Sequence, residues 1–70
     1  MKEKYVLAFS ENLKNAIGNM PISEFAKLVG IPQPTISRYL RCDRVVTLEN
    51  LCKIADYLNE DIDYLIGRKK

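Results

Sequence analysis

"ISEFAKLVGIPQPTISRYL", residues 22–40, holds two helix-length segments hinged on a glycine and two prolines. In the first segment Ile22, Phe25, Ala26 and Val29 fall on one face at helical spacing, and Gly30 supplies a C-terminal stop. Pro21 stands where such a helix begins. Pro32 and Pro34 belong to a first helical turn, where a missing N–H costs nothing because those donors have no partner within the helix. The spacing therefore predicts one short helix over 22–29 and a second from Gln33 to about Arg41. Two helices joined by so short a turn must approach closely, and Ala26 and Gly30 are the small residues expected at the approach.

Working outward, Val6, Phe9, Leu13, Ala16 and Ile17 repeat at helical spacing from Lys4 to about Ile17, with Gly18-Asn19 as a stop. After a polar link, Thr47 has the chemistry of an N-cap. The following "LENLCKIADYL" carries a stripe of Leu48, Leu51, Ile54, Ala55 and Leu58. Asp61 is placed to cap a last short helix with Ile62, Leu65 and Ile66, ended by Gly67. No strand-type alternation, repeat or low-complexity tract competes. The expectation is an all-α fold: a bundle of five short helices forming a single domain over 1–70, with a helix-turn-helix at about 22–41 and a basic tail at 68–70.

The third helix has two unlike faces. Ile36, Tyr39 and Leu40 face inward on the helical period, which leaves Gln33, Pro34, Ser37, Arg38 and Arg41 facing out. That outer face carries an amide, a hydroxyl and guanidinium groups. Such groups suit the DNA major groove, where Gln pairs bidentately with adenine and Arg with guanine, and an apolar edge meets the thymine methyl.

At these residues the stretch 22–40 resembles the helix-turn-helix of the Cro and phage-repressor-like family, of the xenobiotic-response-element type. "TLENLCKIADYLNEDIDYLIGRKK", residues 47–70, is similar to that family's next two helices. The resemblance covers about residues 20–67, and helix one fits in size but needs a gap to fit in register. It implies a double-stranded DNA-binding transcriptional regulator reading the major groove with its third helix. Because one such module buries little surface a homodimer is expected on DNA, and a single domain favours action as a repressor. Gln33, Pro34, Ser37 and Arg38 take the base-reading positions. Thr35 and Arg41 lie where bases or phosphates are touched, and Arg44, Thr47, Ile22 and Ser23 lie near phosphates.

Three positions depart from the family pattern. Ile22 replaces a glutamine, which leaves only a backbone N–H for phosphate. Leu40 replaces an acidic residue that pairs with an arginine of helix one, and an apolar contact is expected instead, an exchange that is often neutral or stabilising. Cys42 replaces a glycine, so the turn there avoids positive φ or is strained.

Composition sets the outer limits. A chain of 70 residues, 47% hydrophobic and 29% charged, has room for one small core and no large cleft. Its apolar runs are too short for a membrane span or a secretory leader, which points to the cytoplasm. There is no histidine, and Cys42 and Cys52 lack metal-ligand spacing, so neither a metal nor a disulfide is expected and both read as buried or half-buried apolar residues. No phosphate loop or nucleophile motif is present, so the expectation is no enzyme, no cofactor and no small-molecule ligand.

The net charge of +2 is unevenly spread. Arg38, Arg41 and Arg44 face only Asp43 within 33–44, whereas Glu49, Asp56, Glu60, Asp61 and Asp63 outnumber Lys53 within 49–63. Helices four and five are thus expected to turn away from a polyanion. The four tyrosines read as core-edge residues with wet hydroxyls, and Tyr64 and Ile66 of the final helix form a candidate dimer patch. The alternative reading is an antitoxin-like or anti-regulator protein-interaction module on the same fold, marked by an exposed apolar patch in place of the arginine face.

Overall fold

The computed structural model describes residues 4–68 and contains five helices. They are α1 (Lys4–Ile17), α2 (Ile22–Val29), α3 (Gln33–Leu40), α4 (Leu48–Leu58) and α5 (Ile62–Leu65), with no strand among the described residues. Lys69 and Lys70 of the expected basic tail lie outside that range.

Local chemistry explains where the central helices begin. Pro21 and Pro32 are N-cap residues with ψ of 140° and 141°, so Pro32 stands just before the first turn and only Pro34 lies within it. Each N-cap carbonyl accepts two N–H groups: Glu24 and Phe25 donate to Pro21, and Thr35 and Ile36 donate to Pro32. Thr47 caps α4 through Oγ1, which accepts from the Asn50 N–H at 3.1 Å.

Left-handed residues end these helices. Gly30, at φ 76°, lets its own N–H and that of Ile31 converge on the Ala26 carbonyl. A Cβ on Gly30 meets nothing within 4 Å, so the glycine serves the backbone turn, and the close helix approach expected there does not occur. Cys42, at φ 61°, takes the same conformation after α3 and lets the Asp43 N–H reach the Arg38 carbonyl at 2.9 Å. This position accepts the strain that a glycine avoids, about 1–2 kcal/mol.

The core draws on every helix. Phe9, Leu13 and Ile17 of α1 meet Phe25, Ala26 and Val29 of α2, Ile36 and Tyr39 of α3, Leu51, Ile54 and Ala55 of α4, and Leu65 of α5. Ile31, in the α2–α3 turn, is also buried, a position that periodicity misses because it belongs to no helix. Phe9 and Tyr39 pack edge to face, as do Phe25 and Tyr57, with ring centroids 5.9 Å apart in both pairs.

Three residues expected in apolar stripes are outside the core: Val6, which lies half-buried along a groove, Leu48 and Ala16. Leu48 is 74% exposed. It opens α4, and because helical Cβ atoms tilt toward the N-terminus its side chain projects off the end of the helix. Ala16 is exposed along a groove lined also by Asn12, Asn15, Leu58 and Tyr64, which its short methyl does not fill. Cys42 and Cys52 are half-buried and form no disulfide.

Helix α3 is tied at its C-terminal end to α1. Ser10, buried in α1, donates Oγ–H to the Leu40 carbonyl at 2.8 Å. The Leu40 side chain lies half-buried against the core, so the end of α3 is held by a hydroxyl bond plus the apolar contact expected of Leu40. Ser10→Ala strands that carbonyl and is expected to destabilise the fold by about 1–2 kcal/mol. Urea unfolding checks this as a lower midpoint at unchanged slope; an unshifted midpoint removes the bond from the account.

Candidate nucleic-acid interface

The outer stripe of α3 is displayed as its sequence period requires. Gln33, Pro34 and Arg38 are exposed, and Thr35 and Ser37 are half-buried. Behind them Ile36 and Tyr39 are sealed, at 0% and 1% exposure. The helix is held by its apolar side, which frees its polar side for a partner. Gln33 is the first helical residue and Pro34 the second, so the exposed stripe begins at the helix N-terminus.

Arg41 and Arg44 are exposed near the other end of α3. The Arg41 Nε–H donates to Asp43 Oδ2 at 3.0 Å in a solvent-exposed pair. That pair offsets part of the charge, and the guanidinium keeps further N–H donors beyond the one engaged. Thr47 is exposed beside the start of α4, where its oxygen accepts the cap bond and its O–H hydrogen remains available to an outside acceptor.

At the start of α2, Ile22 packs half-buried against the core and Ser23 is exposed. The Ile22 and Ser23 N–H groups belong to the first turn, which has no intrahelical acceptor for them. Such N–H groups, with the positive end of the helix dipole, suit an anion. Glu24 lies in that same turn, and Glu49 lies in the first turn of α4, where Lys53 Nζ approaches it at 3.7 Å.

A family profile described as helix-turn-helix matches residues 17–65, a span that includes α2, α3, α4 and α5. The chain belongs to this helix-turn-helix family, of the Cro and phage-repressor type. Comparisons with curated proteins and with solved structures find no significant match. Members of the helix-turn-helix family are DNA-binding regulators, and the all-helical bundle agrees with that membership. None of the helices among the described residues is long and apolar enough to cross a membrane.

Sequence reasoning misses one residue beside this surface. Asn50 of α4 donates its side-chain Nδ2–H to the Tyr39 hydroxyl at 2.9 Å. A wet hydroxyl is the expectation for Tyr39 from sequence, yet the residue is buried and that oxygen is met by Asn50 instead. No local pattern announces the bond, because its partners sit on different helices.

Proposed function

We propose that the protein is a sequence-specific double-stranded DNA-binding repressor that places α3 in the major groove. The observation that carries this reading is the free outer stripe of α3, with Gln33 and Arg38 exposed beside a sealed Ile36–Tyr39 face. Gln33, Pro34, Ser37 and Arg38 read base edges, and Thr35 and Arg41 touch bases or phosphates. The N–H groups of Ile22 and Ser23, with Arg44 and Thr47, hold the phosphate backbone and fix the register of α3 in the groove.

One module of this size buries little DNA, so the protein acts as a homodimer on half-sites about 34 Å apart. Repression is steric, through occupancy of the operator. Tyr64, 42% exposed, and the half-buried Ile66 on and beside α5 are a candidate dimer patch.

The protein-interaction reading has its own support. Val45 is 67% exposed in the α3–α4 link and lines an apolar groove with Tyr5, Val6, Val46 and Ile66. Exposed apolar surface of this kind is a place where a partner protein could dock.

Selection of bound duplexes from a random pool, followed by a salt titration, separates the two readings. DNA reading predicts an enriched motif with two-fold symmetry. It also predicts an affinity that falls about 10³–10⁵-fold between about 50 and 200 mM salt if about 6–10 phosphates are neutralised. An unenriched pool with salt-independent binding would remove the DNA reading.

A further inference from the structure

We propose that Asn50 is a positioning residue for base reading, acting through the Tyr39 hydroxyl to fix the recognition helix α3 against the capped start of α4; the inference rests on the DNA-binding reading above. Asn50 has two attachments. Its side-chain Nδ2–H donates to Tyr39 Oη at 2.9 Å, and its backbone N–H donates to Thr47 Oγ1 at 3.1 Å. One residue thus joins the buried back of α3 to the cap that faces the phosphate backbone.

The physical case begins with how α3 is held. It packs chiefly on α1 and α2, and its core contacts through Ile36 and the Tyr39 ring are apolar. Apolar burial is itself non-directional, so the angle of the helix is set by the shape of the packed side chains and by the hydrogen bonds that join it to its neighbours. A hydrogen bond has a preferred length and angle, so it resists a small roll or slide of the helix. The Asn50–Tyr39 bond is the directional side-chain tie from the last turn of α3 to α4, and Ser10 to the neighbouring Leu40 carbonyl ties the same turn to α1.

Position along the chain makes the tie relevant to reading. Tyr39 directly follows Ser37 and Arg38 on the same short helix, so a roll of the helix that moves the Tyr39 hydroxyl away from Asn50 moves both of those side chains as well. Base recognition needs those side chains at a set offset from the phosphate grip at Thr47. Non-operator DNA, held by charge alone, makes no such demand.

The test uses the full chain, Tyr39→Phe, Asn50→Leu and the double variant. Each is assayed below its melting temperature on a selected operator and on an unrelated duplex of equal length. Tyr39→Phe keeps the ring that packs against Phe9 and removes only the oxygen. Each single variant is expected to weaken operator binding about three- to tenfold and to leave the unrelated duplex and the salt slope unchanged. The double variant is expected to lose no more than either single one, since both remove the same bond.

A merely structural bond lowers the melting temperature and leaves the ratio of operator to non-operator affinity intact; that result, or additive losses in the double variant, overturns the proposal. If Asn50→Leu does not fold, Tyr39→Phe decides alone. A parent chain that enriches no duplex overturns the DNA reading and this inference together, whereas enrichment by the parent with an unchanged ratio in Tyr39→Phe overturns the inference alone.

Discussion

Phe25→Ala is expected to abolish cooperative unfolding at physiological temperature. Phe25 is 1% exposed and meets Tyr57 edge to face where α2 packs on α4. Truncating a buried phenylalanine costs about 3–5 kcal/mol, part of it for the cavity that remains. A core in a chain of 70 residues supplies roughly that much net stability in total, with no disulfide between Cys42 and Cys52 to supplement it. The loss therefore consumes the margin. Circular dichroism during heating reads the outcome as a broad, sloping signal in place of a sigmoid. Phe25→Leu, which keeps most of the volume, is expected to retain a cooperative transition at a lower midpoint, at a cost under about 1.5 kcal/mol. A sharp transition in Phe25→Ala within a few degrees of the parent would show that the α2–α4 packing does not hold the fold.

Arg38→Ala is the larger of the expected effects on DNA. An arginine paired with a base edge contributes about 1–3 kcal/mol, and its removal relaxes preference at one base pair of each half-site. Because Arg38 is exposed and its neighbour Tyr39 carries the packing, the variant is expected to melt like the parent. Competition binding against duplexes substituted at each position checks both halves of the expectation. Arg44→Ala provides the contrast: without that guanidinium on a phosphate, binding to every sequence weakens alike and the salt slope falls by about one. If Arg38→Ala follows the Arg44 pattern, Arg38 grips the backbone and reads no base.

The elements of this fold were legible because helix signals are local. Gly30, Thr47 and the prolines at 21, 32 and 34 mark helix ends through backbone chemistry that needs no distant partner. Ile36 and Tyr39 could be placed inward from the helical period alone, and they are sealed. Leu48 shows where periodicity stops being sufficient. It satisfies the stripe of α4 by angle, yet the body that the stripe packs on ends before it does. Gly30 shows a second limit, since a small residue in a tight turn suggested a close approach of two helices when the need was only a left-handed backbone.

The candidate interface divides in the same way. That Gln33, Ser37 and Arg38 share one face follows from a rise and turn common to all α-helices. The sequence by itself determined five helices, their apolar faces and the polar stripe of α3, because each depends on residues within a few positions of one another. Only the tertiary structure decided that Ser10 meets the Leu40 carbonyl 30 residues away and that Asn50 meets the Tyr39 hydroxyl 11 residues away. Those pairings depend on how the helices stack, and stacking is set by the shape of the whole core.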